Sequence, residues 1–150
     1  MGIDEDRLVE ILRQERAAAE PLPNMTSLER KAYEGLIALQ ELAHRTATDA
    51  GWYRDPATGL PIQRNFGEVV ALMHSELSEA LEADRKGLQD DKLPHRDGRE
   101  VEFADCLLRI FDTAEAMGLD LAGALIEKNR YNQFRADHRL ETRANGGKRY

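Results

Sequence analysis

The sequence predicts an all-α fold, a four-helix core with an additional N-terminal helix. Three observations carry that expectation. Apolar residues return at helical spacing through several long segments. Aromatics make up only 6% of the chain, few for a sandwich or barrel core. The 11 glycines and five prolines gather in a handful of places between those segments, where they would interrupt helices least.

The first expected helix runs from Asp4 to Glu20, with Leu8, Ile11 and Leu12 on one face, and Pro21 and Pro23 end it. Thr26 or Ser27 caps a second helix; with Ser27 as the cap, Arg30 falls where a capping box needs an acid. Leu28, Tyr33, Leu36, Ile37, Leu39, Leu42 and Ala43 keep a helical period to about Ala50. Residues 51–64 hold Gly51, Pro56, Gly59 and Pro61 and read as a long loop, a kind that is often functional. Trp52 and Tyr53 at its start are expected to pack the loop onto the body.

Asn65 is the expected N-cap of a third helix from Phe66 to Lys86, which Gly87 stops. Val69, Val70, Met73, Leu77, Ala80 and Leu81 form its expected apolar stripe, and His74 is given a structural role. A polar linker, Leu88 to Gly98, leads to a fourth helix from about Arg99 to Met117. Its expected buried residues are Phe103, Leu107, Leu108, Ile110, Phe111 and Ala114. A last helix spans about Asp120 to Asp137. Residues 1–150 are therefore read as one domain, with 1–24 an N-terminal helix and linker and 138–150 a basic tail.

Charge and cysteine usage narrow the function classes. The formal charge is −7, but Lys128 to Tyr150 holds seven basic residues against two acidic ones. An acidic body with a basic C-terminal segment argues against nucleic-acid binding, while cations placed beside a polyphosphate would suit it. Cys106 is the single cysteine, so neither a disulfide framework nor a thiolate metal cage is expected. The charged N-terminus lacks the apolar stretch of a signal peptide, and no apolar run reaches a membrane span. The expected compartment is the cytoplasm.

The chemistry is expected at two carboxylate pairs. Glu76 and Glu79 stand three residues apart in the third helix, Glu102 and Asp105 in the fourth. That spacing puts each pair on one helix face, about one turn apart. Chance yields several such pairs in a chain this acidic, but these lie mid-helix in the most apolar segments, where charge costs most. If the helices pack together, four carboxylates converge, and a cation offsets their repulsion and lost hydration. Oxygen-only ligands suit Mg²⁺ or Mn²⁺. Glu102, Asp105, Arg109 and Asp112 continue at steps of three and four as one polar seam.

The order Glu76-x-x-Glu79, Glu102-x-x-Asp105, Lys128-x-x-x-Asn132-x-x-Arg135 resembles the MazG-like branch of all-α nucleoside triphosphate pyrophosphohydrolases. The stretch His74 to Ala80 and the closing Gly146-Gly147-Lys148 fit as well, so the resemblance covers about Asn65 to Lys148. It implies Mg²⁺ ligands at Glu76, Glu79, Glu102 and Asp105, and triphosphate binding by Lys128, Asn132 and Arg135. It implies cleavage between the α- and β-phosphates, with Glu79 preferred for orienting or deprotonating the water. It also implies a homodimer or dimer of dimers. Many relatives carry a further acid where this chain has Ser75.

Three rival readings remain open on the residues alone. A di-iron protein needs two Glu-x-x-His motifs, and only Glu41 to His44 supplies one. A non-catalytic helical interaction module would use its acids for solubility. A relative restricted to dUTP or dCTP would keep the fold and narrow the substrate.

Overall fold

The computed structural model describes residues 22–145. It is all-α: α1 (Ser27–Asp49), α2 (Phe66–Lys86), α3 (Gly98–Ala116) and α4 (Leu121–Phe134) are long, a 3₁₀ turn follows at Ala136–His138, and α5 (Leu140–Ala144) is short. Among the described residues there is no strand, only isolated bridges between Arg54 and Pro61 and between Gln89 and Asp97. The expected helix from Asp4 to Glu20 and the end of the basic tail lie outside the described residues. α3 is central, packed against both α2 and α1, and α4 packs chiefly against α1.

Thr26, not Ser27, caps α1, and that choice completes the capping box. Its hydroxyl accepts from the Glu29 amide at 3.2 Å, and Glu29 Oε2 accepts from the Thr26 amide at 2.7 Å. Two orphan donors of the first turn are thereby satisfied. Glu29 also receives the Arg130 fork, with Nε 2.7 Å from Oε1 and Nη2 3.1 Å from Oε2. That fork, then the Thr26 amide, hold the Glu29 carboxyl down to about 2 from 4.5. One residue therefore caps α1 and ties α4 to it.

α2 runs between the expected stops. Asn65 Oδ1 accepts from the Glu68 amide at 3.2 Å, and Gly87 closes the helix in the left-handed region at φ 62°. α3 starts one residue earlier than expected, at Gly98, because the Asp97 side chain accepts from the Arg99 amide.

The buried faces match the expected ones in part: Val69 and Ala80 are buried and Val70, Met73 and Ile110 half-buried, as expected. On α2 the buried residues are Val69, Glu76, Ala80 and Ala83, whereas Leu77 and Leu81 are exposed. On α3 Phe111 and Ala114 are buried as expected, but Phe103, Leu107 and Leu108 are exposed. The cause is the contact between the two helices: it runs through small side chains that let the backbones approach closely, and it leaves the bulky residues outside. Gly98 marks the tightest point, where a Cβ would stand 2.9 Å from Ala83 Cβ and 3.1 Å from the Leu88 carbonyl oxygen. Gly98→Ala is expected to destabilise by about 1–3 kcal/mol through overpacking. Gly35→Ala, which meets nothing within 4 Å in mid-helix, is expected to stabilise by about 0.5–1 kcal/mol. Chemical denaturation of both variants checks the contrast; equal effects would remove the close-approach argument.

The 51–64 loop is an ordered strap. Asp55 N donates to the Leu60 carbonyl and Ile62 N to the Tyr53 carbonyl, at 2.8 and 3.0 Å. Asp55 Oδ1 holds the tip by accepting from Ala57 N, Thr58 N and Thr58 Oγ1. The two aromatics part ways: Tyr53 packs inward as expected, while Trp52 is 64% exposed.

The last long helix is shorter than its period suggests. α4 stops at Phe134, and Arg135 turns out to extended backbone at φ −64°, ψ 129°. Its guanidinium doubles back on Asp137, with Nε 2.9 Å from Oδ1 and Nη2 2.6 Å from Oδ2, which favours the turn over another helical residue.

Candidate metal centre

The antiparallel contact of α2 and α3 brings three of the four expected acids together. Glu76, Glu102 and Asp105 each offer a carboxylate oxygen, and these oxygens lie within 4.8 Å of one another. Glu76 comes from the buried row of α2 and is 6% exposed; Glu102 is half-buried and Asp105 exposed. Glu79, one turn on, is exposed and stands outside this triad, yet its charge reaches Glu102.

Crowding shows in the protonation of the site. Burial, the Glu79 charge and a hydrogen bond with Glu76 push the Glu102 carboxyl up from 4.5 to about 7. Asp105 is raised too, first by burial and then by the Glu76 charge, against the pull of Arg109. Without a cation, this site resists carrying its full negative charge at neutral pH.

Arg109 supplies one positive charge from within. Its Nε donates to Glu76 Oε1 at 2.7 Å. It belongs to the predicted seam, but its place one turn beyond Asp105 did not by itself identify a partner on α2.

The same seam ends in a second polar knot. Asp112, 7% exposed, accepts from Tyr53 Oη at 2.8 Å on Oδ1, and His44 Nδ1 lies 2.9 Å from the same oxygen. Arg64 Nη1 stands 3.9 Å from Oδ2. The His44 and Tyr53 rings meet edge to face, with centroids 5.0 Å apart. Burial and the Asp112 carboxylate raise the Tyr53 hydroxyl, keeping it a proton donor. Asp112 was visible in the seam; His44, Tyr53 and Arg64 were not, because they come from distant parts of the chain.

The residues expected to bind phosphate are carried by α4 and its end, not by the two helices that carry the triad. Lys128 and Asn132 are on α4, and Arg135 is just past its end. Lys128 Nζ sits 4.9 Å from the Tyr131 ring centroid, and the Arg135 guanidinium, also bonded to Asp137, lies 5.9 Å from the same centroid. Asn132 is half-buried, and its Oδ1 has no hydrogen-bond partner.

Other candidates resolve plainly. Cys106 is buried beside the triad as a small core residue. His74 is exposed, so it does not pack into the core. Glu41 is exposed and His44 is engaged by Asp112, so that Glu-x-x-His motif does not join the acidic triad. Among the described residues, no helix is long and apolar enough to cross a membrane. No family model, curated protein or solved structure matches the chain.

The donor chemistry fits a hard divalent cation. Three carboxylates supply only oxygen, as Mg²⁺ and Mn²⁺ prefer. One oxygen from each of the three lies within 4.8 Å of the others, a grouping that could hold such an ion.

Proposed function

We propose that this chain is a Mg²⁺-dependent nucleoside triphosphate pyrophosphohydrolase of the MazG-like all-α class, cleaving between the α- and β-phosphates. The products would be a nucleoside monophosphate and pyrophosphate. The observation that carries this reading is the convergence of Glu76, Glu102 and Asp105 across α2 and α3. The order of acidic pairs and basic residues along the chain supports it.

Glu76, Glu102 and Asp105 would hold the ion, with Glu79 one turn on beside them. A bound Mg²⁺, or Mn²⁺ in its place, would supply positive charge against the phosphate oxygens and make a water more acidic. Glu79, exposed next to Glu102, is assigned to orienting the attacking water and taking its proton. Lys128 and Arg135 exchange Tyr131 and Asp137 for the polyphosphate, a change that partly exposed cations make at small cost. Asn132 donates its amide to a phosphate or sugar oxygen. The exposed Leu77, Leu81, Phe103 and Leu107 support assembly as a homodimer or dimer of dimers.

The same exposed apolar side chains favour one rival, a helical interaction module without catalysis. The two readings separate in a single assay. Ribo- and deoxynucleoside triphosphates, dUTP and dCTP included, are incubated with the purified protein and Mg²⁺, and the products identified. The expected outcome is monophosphate and pyrophosphate, with turnover reduced at least about 100-fold in Glu79→Gln and Asp105→Asn while helical content holds. Release of diphosphate and orthophosphate contradicts the cleavage position. Full activity in both variants removes the assignment.

A further inference from the structure

Arg109 is placed where a metal's charge would act. On the α3 seam it follows Asp105 by one turn, and its Nε bonds Glu76, the most buried of the three clustered acids. Its own side chain is 36% exposed, against 8% for Glu76. The carboxylate is thus locked inside while the guanidinium has a route to water. Its charge already pulls on Asp105 as well. A carboxylate at 8% exposure demands a partner, whereas a guanidinium at 36% does not.

We infer that Arg109 is an internal counter-cation that stands in for the divalent ion at Glu76 and competes with it, setting the metal affinity of the site below what the three carboxylates alone would give. The inference rests on the metal reading of this triad. In the metal-free protein Arg109 satisfies Glu76; when the ion arrives, the second positive centre repels it and Arg109 yields toward solvent. The alternative role for such a residue is orienting the ligand, and that role has the opposite consequence. Loss of an orienting partner weakens metal binding, by about 10–100-fold in typical sites.

The test is Mn²⁺ binding, read by the electron paramagnetic resonance signal of free Mn²⁺ and by the metal-induced shift in melting temperature. Arg109→Gln keeps a hydrogen-bond donor and removes the charge. It is expected to bind Mn²⁺ about tenfold more tightly than wild type and to gain more thermal stability at saturation. Arg109→Lys keeps the charge and is expected to stay near wild type. If wild type binds and folded Arg109→Gln binds equally or more weakly, the competition is overturned and the carboxylate site survives. Tightening in Arg109→Lys equal to that in Arg109→Gln also overturns it, since charge is then not the cause. Absence of saturable binding in wild type sinks the metal reading itself and the competition with it. Should Arg109→Gln be unfolded without metal, it is expected to refold at Mn²⁺ concentrations below the wild-type Kd, and failure to do so counts against the inference.

Discussion

Glu102→Gln is expected to melt higher than wild type at pH 8 in the absence of divalent ions. The folded Glu102 carboxyl titrates at about 7 and its ordinary value is 4.5. Between those values the folded chain holds a proton that the unfolded chain has lost, so this group's contribution to stability falls as pH rises. The penalty is complete above pH 7. Discounted for solvent screening, it amounts to about 1–2 kcal/mol, or roughly 3–6 °C in a domain of this size. Glutamine is neutral at every pH and removes the penalty, so the gap between variant and wild type should narrow toward pH 5. Under the proposed function the same variant loses divalent-ion affinity and turnover. A more stable protein that has lost its ligand is the signature of a site held under electrostatic stress. Calorimetry at pH 5 and pH 8 checks it, and a Gln variant less stable than wild type at pH 8 would refute the stress.

Asp112→Ala is expected to loosen the strap while the four long helices remain folded. The substitution deprives Tyr53 and His44 of their shared acceptor and leaves Arg64 without its nearby carboxylate. Breaking a buried, charged hydrogen-bonded group of this kind costs about 2–4 kcal/mol. Both ends of the strap depend on it: Tyr53 lies near its beginning and Arg64 at its end. Amide exchange at Asp55 and Ile62, whose N–H groups bond across the strap, should accelerate well beyond exchange in α2 and α3. Tyr53→Phe, which removes one of those bonds, is expected to cost about 1 kcal/mol. A loss below about 0.5 kcal/mol in Asp112→Ala, with strap protection intact, would mean the knot fastens nothing.

Element positions were legible where the chain carries its own punctuation. Asn65 and Gly87 mark α2 at both ends, and the structure starts and stops it between them. Where a local interaction competes with the helical period, the period misleads. The Arg135–Asp137 fork ends α4 before the polar pattern does, and Thr26 displaced Ser27 as the cap because only Thr26 puts an acid three residues on. Burial was the least legible feature. Leucine counts point to the bulkiest face, but helices meet where side chains are small, and Ala80, Ala83 and Gly98 decided the contact.

Three of the four expected acids, Glu76, Glu102 and Asp105, were legible because they interrupt apolar helical segments; their spacing alone, which chance also supplies, did not single them out, and Glu79 falls outside the group. The internal cation of the triad was not legible. Arg109 reaches a carboxylate 33 positions away, and the Asp112 knot joins residues 59 and 68 positions apart. Such pairings follow from how the helices are arranged in space, which no local pattern encodes.

The small-residue contact between α2 and α3 would by itself be smooth, offering little resistance to one helix sliding along the other. The charged seam removes that freedom. A shift of one turn would carry Arg109 away from Glu76 and bring a buried carboxylate opposite another acid or an apolar neighbour, each several kcal/mol worse. In the metal-free protein the ion pair is therefore a key that fixes the axial alignment of the two helices. Chemistry and alignment share the same side chains, so substitutions that empty the site of charge also relax the constraint that holds its two walls level.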